Sequence, residues 1–149
     1  MTMISCNKSN VIFEEVTNFA NQKWLRQEAK SFNVNIDNID DCYNIYFTME
    51  IDTNSVRDKN FPLVVNLYSA NGERRMFYSY LHLRNEKGTW LVPLEGSKLM
   101  VDQRIKEYFF FNSLGEHRLE IGQGTDRYEI KGVESFGVRI EKAELVYPE

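Results

Sequence analysis

Apolar side chains recur at every second position through most of this chain, which is the spacing of strands with one buried face. Phe32, Val34 and Ile36 alternate with Ser31, Asn33 and Asn35, and Asp37-Asn38-Ile39-Asp40-Asp41 then supplies turn chemistry. Tyr43, Ile45, Phe47 and Met49 alternate with Asn44, Tyr46, Thr48 and Glu50, as Leu63, Val65 and Leu67 do with Val64, Asn66 and Tyr68. Further strands are predicted at Tyr108 to Phe111, through His117, Leu119 and Ile121, and through Phe136, Val138 and Ile140. Ser97 to Gln103 carries mixed signals and predicts a short helix or an irregular edge. Phe19 to Lys30 predicts no more than a helical turn, because its apolar residues do not recur at helical spacing. Many short strands without crossover helices predict an all-β, antiparallel β-sandwich of jelly-roll type.

Asn71-Gly72 marks a hairpin whose register decides which side chains reach the surface. A two-residue loop would pair Leu67 with Met76 and Val65 with Tyr78, leaving Phe77, Leu81 and Leu83 on the outer face. One extra residue near the turn reverses this, because side chains alternate faces with a period of two. The expected arrangement therefore buries Phe77, Leu81 and Leu83. It places Tyr68, Tyr78, Tyr80 and His82 outside, with Tyr46 expected beside them. Such tyrosines can anchor a protein partner or stack on a sugar ring, although Tyr also suits strands for its own sake.

With 149 residues, no repeat and no Pro/Gly-rich linker, one folded domain is expected, here over residues 11–149 after a polar N-terminal tether over residues 1–10. A net charge of −4 supplies no general cationic field, so nucleic acid is not an expected partner. The longest apolar runs, such as Phe61 to Val65, fall far below the roughly 20 residues of a membrane-spanning helix.

Enzyme chemistry finds little support. No Ser sits in a Gly-x-Ser-x-Gly elbow, and Cys42 lies in an alternating strand where a small side chain packs. His82 reads as a solvated strand residue and His117 as a half-buried one. Cys6, Cys42, His82 and His117 are too scattered for a paired zinc motif. The Asp37, Asp40, Asp41 cluster reads as turn chemistry before calcium ligation, and Gly122-Gln123-Gly124 lacks the third glycine of a dinucleotide fingerprint. Neither a catalytic residue nor a metal, cofactor or small-molecule ligand is expected.

Cys6 stands apart. Met3-Ile4-Ser5-Cys6 has the form of a bacterial lipobox, with a polar segment following it, which makes Cys6 the expected lipid-attachment residue. Five residues cannot supply the charged and apolar regions of a secretory signal. The lipoprotein reading thus expects further sequence upstream of Met1; otherwise the motif is accidental.

From Cys6 onward the chain resembles the GldH-type gliding-motility lipoproteins of Bacteroidetes. The resemblance is carried by Phe13-Glu14-Glu15, Phe19 and Trp24, then by Tyr43-Asn44-Ile45-Tyr46-Phe47. Asn71-Gly72, Gly88-Thr89-Trp90-Leu91, Phe111 to Gly115, Leu119-Glu120-Ile121 and Gly137-Val138-Arg139-Ile140-Glu141 extend it over nearly the whole chain. Departures occur at Met49-Glu50-Ile51, Phe61-Pro62-Leu63, Val92 and Phe111-Asn112, and bear more on a shared partner surface than on a shared fold. The resemblance implies a non-catalytic accessory or scaffold lipoprotein linked to gliding and its associated secretion machinery. Its expected partners are envelope proteins, and its expected contact with the membrane is the lipid on Cys6. The residues after Cys6 lack an acidic export-like run, which favours the periplasmic face of the outer membrane. A carbohydrate-binding β-sandwich module remains the alternative.

Overall fold

The computed structural model describes residues 10–144. Ten strands follow in order: β1 (Val11–Asn18), β2 (Lys23–Leu25), β3 (Lys30–Ile36), β4 (Cys42–Asp52), β5 (Asn60–Tyr68), β6 (Arg74–His82), β7 (Lys98–Phe109), β8 (Gly115–Gln123), β9 (Glu129–Lys131) and β10 (Val133–Ala143). A 3-10 turn, Ala20–Gln22, lies in the region where the sequence predicts a helical turn.

Two antiparallel four-stranded sheets, β1-β10-β4-β7 and β3-β8-β5-β6, face one another, and β2 and β9 form a short ribbon beside them. Numbering the eight main strands without that ribbon, the sheets read 1-8-3-6 and 2-7-4-5. That order is the double Greek key of a jelly roll, and it is produced by the alternation read above. The inward set of β4 is Tyr43, Ile45, Phe47, Met49 and Ile51, all buried, and β5 contributes Phe61, Leu63, Val65 and Leu67. Trp24 closes one end of the core. Its indole packs on Phe19, Phe61 and Phe136 with centroids 4.6, 5.8 and 5.3 Å away, while its Nε1–H donates to the Glu28 carbonyl at 2.8 Å. An indole buried this completely needs such an acceptor.

Two sequence expectations change. The stretch Ser97 to Gln103 is largely strand, since β7 begins at Lys98 and pairs with β4 through Ile51↔Leu99 and Met49↔Val101. Its outward Met100 breaks the apolar alternation, and pairing with β4 outweighs that local signal. Conversely, the run Tyr108 to Phe111 is no strand of its own: its first half, Tyr108 and Phe109, ends β7. Tyr108 takes a left-handed φ of 53°, and Phe110 and Phe111 already belong to the next turn.

The β5–β6 hairpin adopts the shifted register. Leu67 pairs with Arg75, Val65 with Phe77, and Phe61 with Leu81. The extra residue sits in the turn itself: Ser69 N–H donates to the Glu73 carbonyl at 2.8 Å across a three-residue loop, with Gly72 at φ 94°. A left-handed residue at the end of such a loop gives a G1-type bulge, and glycine supplies it without steric cost. Leu81 and Leu83 are fully buried, and Phe77 is half-buried against the core.

Candidate interaction surface

The register sends Tyr68, Tyr78, Tyr80 and His82 to the outer face of the β3-β8-β5-β6 sheet. They are not equivalent there. Tyr68 lies between two guanidinium groups, Arg118 at 4.3 Å and Arg74 at 5.8 Å from the ring centroid. Arg74 also forks onto Asn66 Oδ1 at 3.0 and 2.9 Å, so this ring is committed to its own sheet. Tyr78 and Tyr80 stand free, 62% and 52% exposed, with Met76 next to them at 53%.

Tyr46 does not join this face. It lies on the outer side of the opposite sheet, where the Arg139 guanidinium covers its ring at 4.3 Å. Arg139 bonds both Asp102 oxygens, at 2.8 and 3.2 Å, and Glu141 at 2.7 Å. The Asp102 bonds, offset by partial burial and helped by Glu141, hold the guanidinium well above its ordinary pKa. That network locks the surface around Tyr46.

β6 is an edge strand, and its free edge is partly capped. The Gln103 amide donates from Nε2 to the Tyr80 carbonyl and accepts at Oε1 from the His82 N–H, both at 2.9 Å. One side chain thereby replaces two ladder bonds of a missing strand, a protection against pairing with another chain. His82 is exposed, as expected, and its Nδ1 donates to Asn60 Oδ1 at 2.7 Å. Beside this cap lies a cleft of about 470 Å³, lined by His82, Leu83, Leu91, Val92, Leu99 and Val101 among others. Leu91, Val92 and the nearby Leu94 and Met100 are exposed apolar residues. On the other flank of β6, a depression of about 390 Å³ lies between Tyr78, Asn66, Glu120, Arg26 and Thr125. Gly122 forms part of its floor, where an added Cβ would meet nothing within 4 Å. β6 is thus a ridge between two hollows. Sequence reasoning found the ridge and missed the apolar cleft, whose one local signal is the Leu91-Val92-Pro93-Leu94 run.

His117 is fully buried rather than half-buried. Its Nδ1 accepts from the Ala70 N–H at 3.3 Å and its Nε2 donates to the Ser113 carbonyl at 2.8 Å. Both nitrogens are engaged with backbone, so the ring serves the loops around it. Cys42 is buried as expected, and Asn38 Oδ1 accepts from the Asp40 N–H at 2.9 Å, the turn chemistry expected of that loop. Among the described residues no three His, Cys, Asp or Glu side chains gather to hold a metal ion. Glu50 and Glu134 share a hydrogen bond near Lys98, which lies 3.0 Å from Glu134. The bond to Glu134, with burial, raises the Glu50 pKa, while bonds from Glu50 and Lys98 lower that of Glu134. Cys6 and the tether, apart from Asn10, lie outside the described residues.

The sequence profile described as "GldH lipoprotein" matches residues 11–140. The chain belongs to the GldH lipoprotein family. Every strand of the jelly roll lies within or overlaps the matched span, and the family associates this chain with gliding motility and with a lipid-anchored state. No curated protein matches the chain. Among solved structures, it is similar to that of the infectious bursal disease virus Gx strain, at 13% identity and a TM-score of 0.40, covering 91% of this chain and 35% of that one. The VP2 subviral particle of the same virus gives 14% identity and a TM-score of 0.40, with 85% and 32% covered. The chain thus spans about a third of the length of those structures.

Proposed function

We propose that this GldH-family chain is a non-catalytic lipoprotein of the cell envelope. It is acylated at Cys6, held on the periplasmic face of the outer membrane, and serves the gliding machinery and its linked secretion apparatus as an accessory or scaffold. Family membership supports the setting. The observation that carries the mode of action is the β6 ridge, where Met76, Tyr78 and Tyr80 stand exposed beside an apolar cleft. Tyr and Met are enriched in the cores of protein interfaces. The bonded Tyr68 and Tyr46 contribute less, because a partner would have to displace their arginines.

The test is an allele carrying Tyr78→Ala and Tyr80→Ala in the native host, with photo-cross-linking at position 80 of the otherwise unaltered protein. Loss of motility with normal abundance and membrane fractionation, together with a cross-link to an envelope protein, is the expected result. Full motility with no cross-link counts against the ridge. Cys6→Ala separately tests the anchor: it should move the protein from membrane pellet to soluble fraction and abolish the acyl mass shift.

The depression beside Tyr78 favours a second reading, a sugar ring stacked on Tyr78 among Asn66, Glu120 and Arg26. On the scaffold reading, calorimetry against envelope glycans finds no saturable binding tighter than about millimolar, or roughly 4 kcal/mol. Saturable binding lost in Tyr78→Ala would replace the scaffold by a glycan-binding module.

A further inference from the structure

The two ends of the sandwich differ. At one end lie the start of β1, the β3–β4 turn, the β5–β6 hairpin, the β7–β8 loop and the end of β10. Ile12, Ile39, Tyr108, Phe110 and Leu114 are all exposed there. The pairing of Ile36 with Gly115 sets the turn holding Ile39 beside the loop holding Phe110 and Leu114. That of Tyr43 with Phe109 brings the start of β4 to the same place. Far apart in sequence, these apolar tips share one end of the barrel.

The tips stand on a packed base. Phe111, buried beneath them, meets Tyr43, Phe109 and His117 with centroids 5.7, 5.0 and 4.9 Å away. His117 ties the Ser113 carbonyl to the Ala70 amide, and Asn112 Nδ2 donates to Glu73 Oε2 at 2.8 Å. Displaying apolar side chains on a fixed loop costs little further ordering on contact.

The chain outside the described residues supplies the direction. Cys6 and Val11 are five residues apart, so even full extension separates them by at most roughly 18 Å. The strands of 9 to 11 residues between the two ends, β4, β5 and β10 among them, are longer, at about 30 Å or more. An acyl chain on Cys6 therefore holds the Ile39, Phe110 and Leu114 end near the bilayer while the other end can stand clear.

We infer that this end is a membrane-facing surface, its apolar tips resting in the headgroup region of the bilayer that holds the Cys6 lipid. The inference rests on the lipoprotein reading. The lipid on Cys6 fixes the chain to the bilayer, and an apolar contact at the same end adds to that attachment and sets the orientation of the domain. Asp37, Asp40 and Asp41 flank Ile39, which favours a zwitterionic over an anionic surface. The same placement leaves Tyr80, His82 and the apolar cleft on the half remote from the membrane, open to a partner.

The test works on the full chain and does not depend on natural acylation. Of the two cysteines, Cys42 is buried, so a maleimide lipid in phosphatidylcholine vesicles couples at Cys6. With brominated phosphatidylcholine as quencher, Leu114→Trp should lose emission and shift to the blue. The native Trp24 and Trp90 sit at the remote end and should be unaffected. Val16→Trp, in the second half of β1, should also stay unquenched. Quenching of Val16→Trp instead, or of neither variant, overturns the inference, since the domain then lies on its β1 side or hangs free. Replacing Ile39, Phe110 and Leu114 by Ser should abolish the protection of these loops from hydrogen exchange that vesicle coupling confers. Failure of the lipoprotein reading shows separately, as unchanged fractionation of Cys6→Ala in the host.

Discussion

His117→Ala removes a buried side chain that joins the β5–β6 hairpin to the β7–β8 loop. The ring is 1% exposed, packs against Phe111 at an interplanar angle of 57°, and bonds Ala70 N–H and Ser113 C=O at 3.3 and 2.8 Å. Truncation leaves two backbone groups short of partners, at about 1–3 kcal/mol each when water cannot reach them, plus a cavity where the ring was. The loops lie near the surface and water will recover part of this, so the expected loss is about 3 kcal/mol. For a domain of this size that lowers the melting temperature by roughly 6–12 °C. His117→Phe separates the two contributions. It keeps an aromatic ring against Phe111 but offers neither donor nor acceptor, and should still lose about 2 kcal/mol. Urea unfolding with a constant m-value gives both numbers, and hydrogen exchange at the Ala70 amide reports the local loss directly. A His117→Ala protein within about 1 kcal/mol of wild type would refute the role assigned to these bonds.

Gly137→Ala places a Cβ 2.5 Å from Thr48 Oγ1, 2.9 Å from Val16 Cγ2 and 3.0 Å from the Glu15 carbonyl. It should cost about 1–3 kcal/mol in thermal or urea unfolding, partly recovered in the Thr48→Ala double mutant. Gln103→Ala uncovers Tyr80 C=O and His82 N–H at the edge of β6, and should increase self-association in sedimentation velocity with a stability loss of about 1 kcal/mol. Glu50, with its pKa raised, contributes stability that is full below the ordinary glutamate value of 4.5 and is lost as pH rises through its folded value; Glu134, lowered, contributes in the opposite sense. Glu50→Gln keeps a donor to Glu134 at every pH, so its stability relative to wild type should rise between pH 4.5 and 7, by less than about 1 kcal/mol at this partly solvated site, as measured by urea unfolding at each pH.

Where one face of a strand is buried, the sequence states it twice, in the apolar set and in the polar set between. β3, β4, β5 and β10 were legible for that reason, and so was the hairpin register, because only one register buries both Leu81 and Leu83. β7 was not. Its outward Met100 mimics a core residue, and its register against β4 shifts around Ile45, so no single alternation describes it. The β2–β9 ribbon is three residue pairs long and is held by Trp24 and Ile130 in the core, which no local pattern announces. The candidate surface was half legible. Exposure of Tyr78 and Tyr80 followed from the register, but the covering of Tyr68 and Tyr46 by arginines, and the cleft beside His82, depend on residues brought together only by the fold.

The two outer faces of the sandwich differ in how freely they can meet another molecule. On the β1-β10-β4-β7 face, Arg139 ties Asp102 and Glu141 over Tyr46, and Gly137 leaves no room between Val16 and Thr48. Binding there would first have to break charge-assisted bonds whose partners are already well placed. On the β6 ridge, Met76, Tyr78 and Tyr80 make no side-chain hydrogen bond or ion pair among the described residues, and hollows lie on both flanks. Burying them costs little desolvation of polar groups and displaces no existing bond, so a given contact area stabilises a complex more there than on the other face. A charge-reversing Glu141→Arg should therefore weaken the fold while leaving partner cross-linking at position 80 intact. Tyr78→Ala should do the reverse, and a cross-linking yield that follows Glu141 rather than Tyr78 would move the interface to the opposite sheet.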